Sequence, residues 1–183
     1  MIHVLYLDDE EHNLTAFRAA FRRDFHVHIT TAPSEAVRML QEFPIEVVIS
    51  DQKMPDISGV EFFEMIMADH PDPVRMLLTG HADIDAVIDA INKGRIYKYI
   101  SKPWNEAELK RLVEEAAELY RARVRSSQLN RSYSENLVLL RNTLHQIQTE
   151  CTSHPDVPEE QRMAWGNALK RAIAWIENPE SPF

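Results

Sequence analysis

The sequence contains a single cysteine, Cys151, and it has no long apolar run. One cysteine excludes an internal disulfide, so we expect a reducing compartment such as the cytoplasm. No run approaches the roughly 18 apolar residues that a membrane-spanning helix needs, so no membrane partner is predicted. The N-terminus lacks the basic stretch and apolar core of a signal peptide, so we expect no secretion signal.

Acidic residues also outnumber basic residues, so the formal net charge is -9 at pH 7. An acidic chain is a poor binder of nucleic acid or of an anionic membrane surface. The segment 121–183 is nearly neutral and has no recognisable helix-turn-helix or cyclic-dinucleotide enzyme motif. We therefore predict no nucleic-acid partner.

Short apolar runs alternate with amphipathic stretches up to about residue 120. Ser34 and Asn105 are residue types that often begin helices, and acidic residues follow both of them. Gly94 is a residue type that often ends a helix. The predicted strands are 2–7, 25–30, 45–50, 74–78 and 97–101, and the predicted helices are 11–23, 34–42, 58–69, 83–93 and one from Asn105. This rhythm predicts an α/β fold with a five-stranded parallel, doubly wound sheet.

Only helical patterns follow Asn105, and they predict a C-terminal α-helical extension at 121–183 after a domain at 1–120. Apolar residues recur at steps of 4, 3, 4 and 3, namely at Tyr133, Leu137, Leu140, Leu144 and Ile147. This heptad-like spacing favours a coiled coil, although a plain bundle helix fits equally well. The segment 154–158 should break the helix, and a last helix should run to Glu177 and complete a helical hairpin.

Acidic residues follow two of the predicted strands. Asp51 ends an apolar run in which Glu46 is the only charge, and the acidic cluster 8–11 follows the first strand. A carboxylate at the end of a buried strand must be paired, bound to a metal or reactive. Thr79 and Lys102 also lie at strand ends, and parallel strands gather such residues at one edge of the sheet. The sequence therefore predicts one acidic site.

Four motifs carry a family resemblance: the acid pair Asp8-Asp9, DQKMPDISG around Asp51, LLTGHAD around Thr79, and YKYISKPW ending near Lys102. Together and in this order they resemble the receiver domain of two-component response regulators, over residues 1 to about 120. The resemblance implies a flavodoxin-like fold and Asp51 as the acceptor of a phosphoryl group from a histidine kinase or phosphotransfer protein. It also implies Mg²⁺, a hard cation that suits oxygen ligands.

The resemblance assigns further roles. Mg²⁺ would be held by Asp9, Asp51 and the backbone carbonyl of Lys53, with Asp8 acting through water. Lys102, whose bond to Pro103 should be cis, would pair with a phosphoryl oxygen, and Thr79 would give its hydroxyl to another.

Other positions would transmit or tune the signal. Tyr99 would be the switch aromatic, with Tyr97 as an alternative on the same side of the strand. Lys53 and His81 would tune the lifetime of the phosphoryl group. Phosphorylation would switch the face formed by the predicted helix 83–93, the strand 97–101 and the helix from Asn105.

Three outputs remain open. The first is protein association, as a homodimer or with a partner, through the helical extension. Trp104, Trp165 and Trp175 are predicted to be core residues or interface anchors rather than cofactor contacts. Arg121, Arg123 and Arg125 are more typical of a solvated face than of a partner contact. The second is a phosphotransfer or phosphatase element with His145 as its candidate histidine. The third is that the chain is the receiver part of a longer effector regulator. We predict no separate enzymatic output.

Overall fold

A computed structural model describes residues 1–80, 96–153 and 158–177 of the chain. The predicted helix 83–93, its end at Gly94, His81 and most of the predicted break at 154–158 lie outside the described residues. The strands are β1 (Ile2–Leu7), β2 (Phe25–Thr30), β3 (Val47–Asp51), β4 (Val74–Thr79) and β5 (Lys98–Ser101). The described helices are α1 (Glu11–Phe21), α2 (Pro33–Glu42), α3 (Gly59–Met67), α4 (Glu106–Ser153) and α5 (Glu159–Glu177).

The five strands form one parallel sheet in the order β2-β1-β3-β4-β5, which confirms the predicted fold. The order reverses between β1 and β3, the topological switch point of a doubly wound sheet. Asp51 ends β3 at this crevice, and Asp8 follows β1 there. The topology therefore places two acidic residues side by side at the carboxyl edge of the sheet.

Side chains alternate across the strands and fill a core on each face of the sheet. One core contains residues of β1 with α1 and the first part of α4, for example Tyr6, Phe17 and Leu112. The other contains residues of the same strands with α2 and α3, for example Leu5, Leu40 and Phe62. Burial on both faces explains why the strands read as continuous apolar runs.

The helix starts only partly follow the sequence signals. The prediction that Ser34 begins a helix is wrong, because α2 begins at Pro33, whose fixed backbone suits a first helical position. Asn105 does act as a cap, since its Oδ1 accepts a hydrogen bond from the backbone nitrogen of Glu108 at 3.0 Å. Ser58 and Glu61 form a capping box that positions the start of α3 beside Asp51.

The chain divides into two compact units, Met1–Arg125 and Ser126–Phe183. The helix α4 contributes to both units. Within the first unit its residues Leu109, Leu112, Val113 and Ala116 are buried in the core. No described helix carries an apolar stretch of the length that would cross a membrane.

Candidate functional site

Four of the predicted site residues lie where strands end. Asp8 directly follows β1, Asp51 and Thr79 are the last residues of β3 and β4, and Lys102 directly follows β5. Backbone hydrogen bonds hold these ends in register, since the nitrogen of Lys102 donates to the carbonyl of Thr79 at 2.8 Å. The sheet thus delivers all four residues to one edge, as the strand pattern predicts.

The centre of the site is an ammonium group between two carboxylates. Lys102 Nζ donates to Asp8 Oδ2 at 2.9 Å and also to Asp51 Oδ1. Asp8 is fully buried and Asp51 is 7% exposed. One positive charge therefore faces two buried negative charges, and the cluster keeps a net negative charge that favours a further cation.

Asp8 is held by a network of donors. The hydroxyl of Tyr6 and the side-chain amide of Asn13 donate to its carboxylate, the latter at 3.0 and 3.2 Å. The backbone nitrogen of Glu10 donates to Oδ1 at 3.0 Å. Because both oxygens of Asp8 already accept hydrogen bonds, this carboxylate suits a supporting role.

The two carboxyl groups differ in acidity. Burial alone would raise the pKa of Asp8, but the hydrogen bonds from Tyr6, Asn13 and Lys102 outweigh burial and lower it. Burial raises the pKa of Asp51, and Lys102 offsets this only in part. Burial would lower the pKa of Lys102, but its bonds to Asp51 and Asp8 raise it, so the ammonium stays charged. Asp51 is therefore the carboxylate whose charge is least well compensated.

The backbone packs tightly around Asp51. The nitrogen of Lys53 donates to Asp51 Oδ2 at 2.6 Å, which places residue 53 directly beside the carboxylate. Gly59, at the start of α3, touches the carbonyl of Asp51 so closely that an added Cβ would overlap it and would lie 2.6 Å from Leu77 Cδ1. Only glycine lets α3 approach the end of β3 in this way.

The predicted switch and tuning residues lie in different surroundings. Thr79 is buried, and its hydroxyl donates to the carbonyl of Gly80 at 3.0 Å. Tyr99 and Tyr97 are both about two-fifths exposed, at 39% and 40%, so exposure does not separate the two candidates. The side chain of Lys53 is exposed, and His81 lies outside the described residues. The Lys102-Pro103 peptide is cis, as the family resemblance implies.

The donor chemistry of the site fits a hard divalent cation. Asp8 and Asp51 offer carboxylate oxygens that already converge on one cationic group, and exposed Asp9 follows Asp8 in the chain. Such oxygens are the ligands that Mg²⁺ prefers. Among the described residues no group of three or more histidine, cysteine or acidic side chains is already gathered around one metal position. Lys102 occupies the point on which the two buried carboxylates converge.

Three residues that position the site were missed by the sequence analysis. Tyr6 lies two residues before Asp8 on the same side of its strand, and Asn13 lies in the first turn of the following helix. Both spacings permit contact with Asp8. Gly59 belongs to the quoted DQKMPDISG motif, but only the three-dimensional packing reveals its contact with Asp51.

Arg121 is exposed, as predicted for a solvated face, and it also pairs with a residue of the same chain. Its guanidinium donates to both carboxylate oxygens of Glu46, from Nε at 2.7 Å and from an Nη at 3.1 Å. Glu46 is the single charge of the third apolar run, and its partner comes from 75 positions later in the chain. This ion pair fixes α4 to the opposite edge of the sheet from Asp51. Arg123 and Arg125 are exposed.

The candidate histidine of the extension, His145, lies on an exposed position of α4. Its backbone carbonyl accepts a hydrogen bond from Thr149 Oγ1 at 3.0 Å. The heptad-spaced residues Tyr133, Leu140 and Ile147 are exposed by 66%, 48% and 40% within the second unit.

The sequence is similar to those of transcriptional regulators. The hydrogenase transcriptional regulatory protein HoxA of Bradyrhizobium diazoefficiens is 36% identical over 118 residues, which cover 64% of this chain and 24% of HoxA. The C4-dicarboxylate transport transcriptional regulatory protein DctD of Rhizobium meliloti is 31% identical over 144 residues, which cover 76% of this chain and 31% of DctD. The chain thus spans about a quarter of HoxA and just under a third of DctD.

Solved structures agree with the sequence similarity. A response regulator receiver domain protein from Clostridium thermocellum superimposes with a TM-score of 0.63 at 28% identity, over 67% of this chain and 98% of that chain. The beryllofluoride-activated NtrC4 receiver domain dimer gives a TM-score of 0.60 at 31% identity, over 66% and 99%. The sequence pattern of the response regulator receiver domain matches residues 4–114, which is more than half of the chain. The chain therefore belongs to the response regulator receiver domain family.

Proposed function

We propose that the chain is a phosphorylation-dependent response regulator of two-component signal transduction in which Asp51 accepts the phosphoryl group. The observation that carries this proposal is the convergence of Asp8, Asp51 and Lys102 on one point at the carboxyl edge of the sheet. Of the two buried carboxylates, Asp51 has the fewer hydrogen bonds and the less compensated charge. An aspartate in such a position can act as a nucleophile.

The donor is a phosphohistidine of a histidine kinase or phosphotransfer protein. A carboxylate oxygen of Asp51 bonds to phosphorus while the bond from phosphorus to the imidazole nitrogen breaks, which yields an aspartyl phosphate and a free histidine. Lys102 moves its ammonium from the carboxylates to a phosphoryl oxygen, and Thr79 donates its hydroxyl to another. Positioning and charge neutralisation are the main tasks of a site for phosphoryl transfer.

The residues that would hold Mg²⁺ are Asp9, Asp51 and the backbone carbonyl of Lys53, with Asp8 acting through water. When bound, the ion neutralises the carboxylates and the oxygens of the incoming phosphoryl group. The network from Tyr6 and Asn13 keeps Asp8 ionised and in place for this role.

The signal leaves the site through a two-state element. Thr79 moves toward the phosphoryl group, and Tyr99 turns inward from its partly exposed position on β5. This changes the face that contains β5 and the first part of α4. Lys53 and His81 tune the lifetime of the phosphoryl group.

The receiver comprises residues 1–120 and the helical extension residues 121–183. The extension carries the output as a surface for homodimerisation or for a protein partner, and it adds no separate enzymatic activity. The exposed apolar residues of the extension support this assignment. The net charge of -9 and the lone cysteine support a cytoplasmic protein that does not bind nucleic acid through this chain.

A phosphodonor assay tests the site directly. The chain is incubated with a small-molecule phosphodonor and Mg²⁺, and the aspartyl phosphate is detected by intact mass. Asp51→Asn should abolish the added phosphoryl mass, whereas Asp56→Asn, at an exposed aspartate five residues later, should leave it unchanged. Chelation of Mg²⁺ should prevent phosphorylation of the wild type. A persistent aspartyl phosphate in Asp51→Asn would refute the assignment.

A second candidate function is supported by the length of the chain relative to its curated relatives. The chain spans only 24% of HoxA and 31% of DctD, which favours the receiver part of a longer effector regulator. The length of the source gene decides this point. A phosphotransfer output through His145 is tested by the same assay, because it requires an acid-labile, base-stable phosphoryl mass that is lost in His145→Gln.

A further inference from the structure

The second unit exposes an unusual amount of apolar surface. Of the described residues in 126–177, only Gly166 and Ile173 are buried. Large apolar side chains with at least 40% exposure occur there at Leu129, Tyr133, Val138, Leu139, Leu140, Ile147, Met163, Trp165 and Trp175. A pair of helices gains most of its stability from burial of apolar faces, so this unit needs another surface.

The two sides of α5 differ in chemistry. One side carries Glu159, Met163, Asn167 and Lys170, which line a polar groove with Gln148 of α4. The other side carries Ala168, Ala172 and Trp175, which line an apolar groove of about 570 Å³ with Leu140 and Leu144 of α4. A partner that buries apolar surface would therefore meet the second side.

Four residues of this apolar side form a symmetric pattern, here called the tryptophan–alanine stripe: Trp165, Ala168, Ala172 and Trp175. At 3.6 residues per turn they lie within about 80° of one another around the helix. Their spacing is three, four and three residues, which is the same in both chain directions. Two antiparallel copies of the stripe, centred on residue 170, would place each Trp165 opposite Trp175 of the other copy and each Ala168 opposite Ala172.

We infer that the tryptophan–alanine stripe is an isologous contact through which α5 packs antiparallel against α5 of a second copy of this chain. In such a contact residue i meets residue j and residue j meets residue i, which is what the symmetric spacing provides. The small alanines at the centre let the helix backbones approach closely, and the large tryptophans close both ends. This inference rests on the proposed association role of the extension and specifies its surface.

The lack of charge on the stripe is compatible with a second copy as the occupant. The stripe itself carries no charge, so the contact buries no unpaired ion, and a strongly charged partner would find no complement on it. Arg171 borders the apolar groove, and the two copies of Arg171 would come near each other at the rim. Salt should therefore leave the dimer unchanged or strengthen it, because it screens this repulsion.

The exposed area of the two tryptophans fits a weak contact. Trp165 and Trp175 are 41% and 46% exposed. Their exposed parts amount to about 100 Å² each, or about 400 Å² for the four tryptophans of a dimer. Leu140 and Leu144 extend the apolar surface along α4. The tryptophan area is well below the roughly 1,200 Å² that a stable interface buries, so the dimer should be weak and reversible.

The test measures the mass of the whole unphosphorylated chain by sedimentation equilibrium over a wide range of concentration. The wild type should dimerise, and Trp165→Ala and Trp175→Ala should each weaken the dimer by about 10-fold or more. Met163→Ala is the matched control, because Met163 is 63% exposed on the polar side of α5 and should not change the dimer. Circular dichroism checks that each variant keeps its helices.

The double variant tests the register. Since Trp165 contacts Trp175 of the other copy, the combined loss in Trp165→Ala/Trp175→Ala should be smaller than the product of the two single losses. A monomer at all concentrations would overturn the inference, and a different protein would then be the candidate to bind the stripe. An equal effect of Met163→Ala would overturn it as well. Asp51→Asn should dimerise like the wild type, so the outcome of this test does not depend on whether Asp51 accepts the phosphoryl group.

Discussion

Removal of either partner of the ion pair between Glu46 and Arg121 should lower the stability of the fold, but by unequal amounts. Glu46 is 11% exposed in its side chain, while Arg121 is 49% exposed. Arg121→Met leaves a nearly buried carboxylate whose other hydrogen bond is a long one, from the backbone nitrogen of His3 at 3.4 Å. Glu46→Gln instead leaves a guanidinium that water can reach, and the new amide keeps one acceptor oxygen. We therefore expect the loss of Arg121 to cost more than the loss of the charge on Glu46.

The burial of the two side chains determines how much the free energy of unfolding should fall. An exposed ion pair contributes about 0 to 1 kcal/mol, and removal of one partner from a buried pair costs about 3 to 5 kcal/mol. With one group nearly buried and the other half exposed, Arg121→Met should lower the free energy of unfolding by about 2 kcal/mol and Glu46→Gln by about 1 kcal/mol. Because both variants remove the same interaction, the double variant should cost about 1 kcal/mol less than the sum.

Urea denaturation measures these differences. In a background with Trp165→Phe and Trp175→Phe, Trp104 is the single tryptophan left, and it packs against Phe17 and Phe21 in the core of the first unit. Arg125→Met is the matched control, because Arg125 is exposed four residues further along α4 and should change stability by less than about 0.5 kcal/mol. Additive single effects, or a larger cost for Glu46→Gln than for Arg121→Met, would refute the reasoning.

Three further predictions concern packing, the site and pH. Gly59→Ala forces a methyl group into the carbonyl of Asp51 and should cost about 1 to 3 kcal/mol in urea denaturation; an unchanged midpoint would contradict the packing. Tyr6→Phe removes the hydroxyl that donates to Asp8, so the pKa of that carboxyl, followed by NMR, should rise; a constant value would show that the bond is unimportant. Burial and neighbouring histidines lower the pKa of His28, so the unfolded chain binds more protons than the folded chain. The free energy of unfolding should therefore fall as the pH drops below about 6.5. His28→Gln should weaken this pH dependence, and an unchanged pH dependence would argue against the role of His28.

The pattern of the sequence predicted the sheet well because burial on both faces forces continuous apolar runs. The bounds of β1 and β2 match the predicted 2–7 and 25–30. The start of β3 was less exact, at Val47 instead of 45. The pairing of Glu46 and Arg121 depends on contacts 75 positions apart, which local patterns do not encode.

The site itself was predictable where its residues break a local rule. A charged side chain at the end of an apolar strand, as at Asp51, conflicts with burial unless it has a function, so the conflict points to the site. Tyr6 breaks no rule, because an aromatic residue in an apolar strand is an ordinary core residue, and its hydroxyl contact with Asp8 stayed hidden. Gly59 likewise looks like an ordinary helix-start residue. The residues that carry charge were therefore found from sequence, whereas the residues that hold those charges in place required the packed structure.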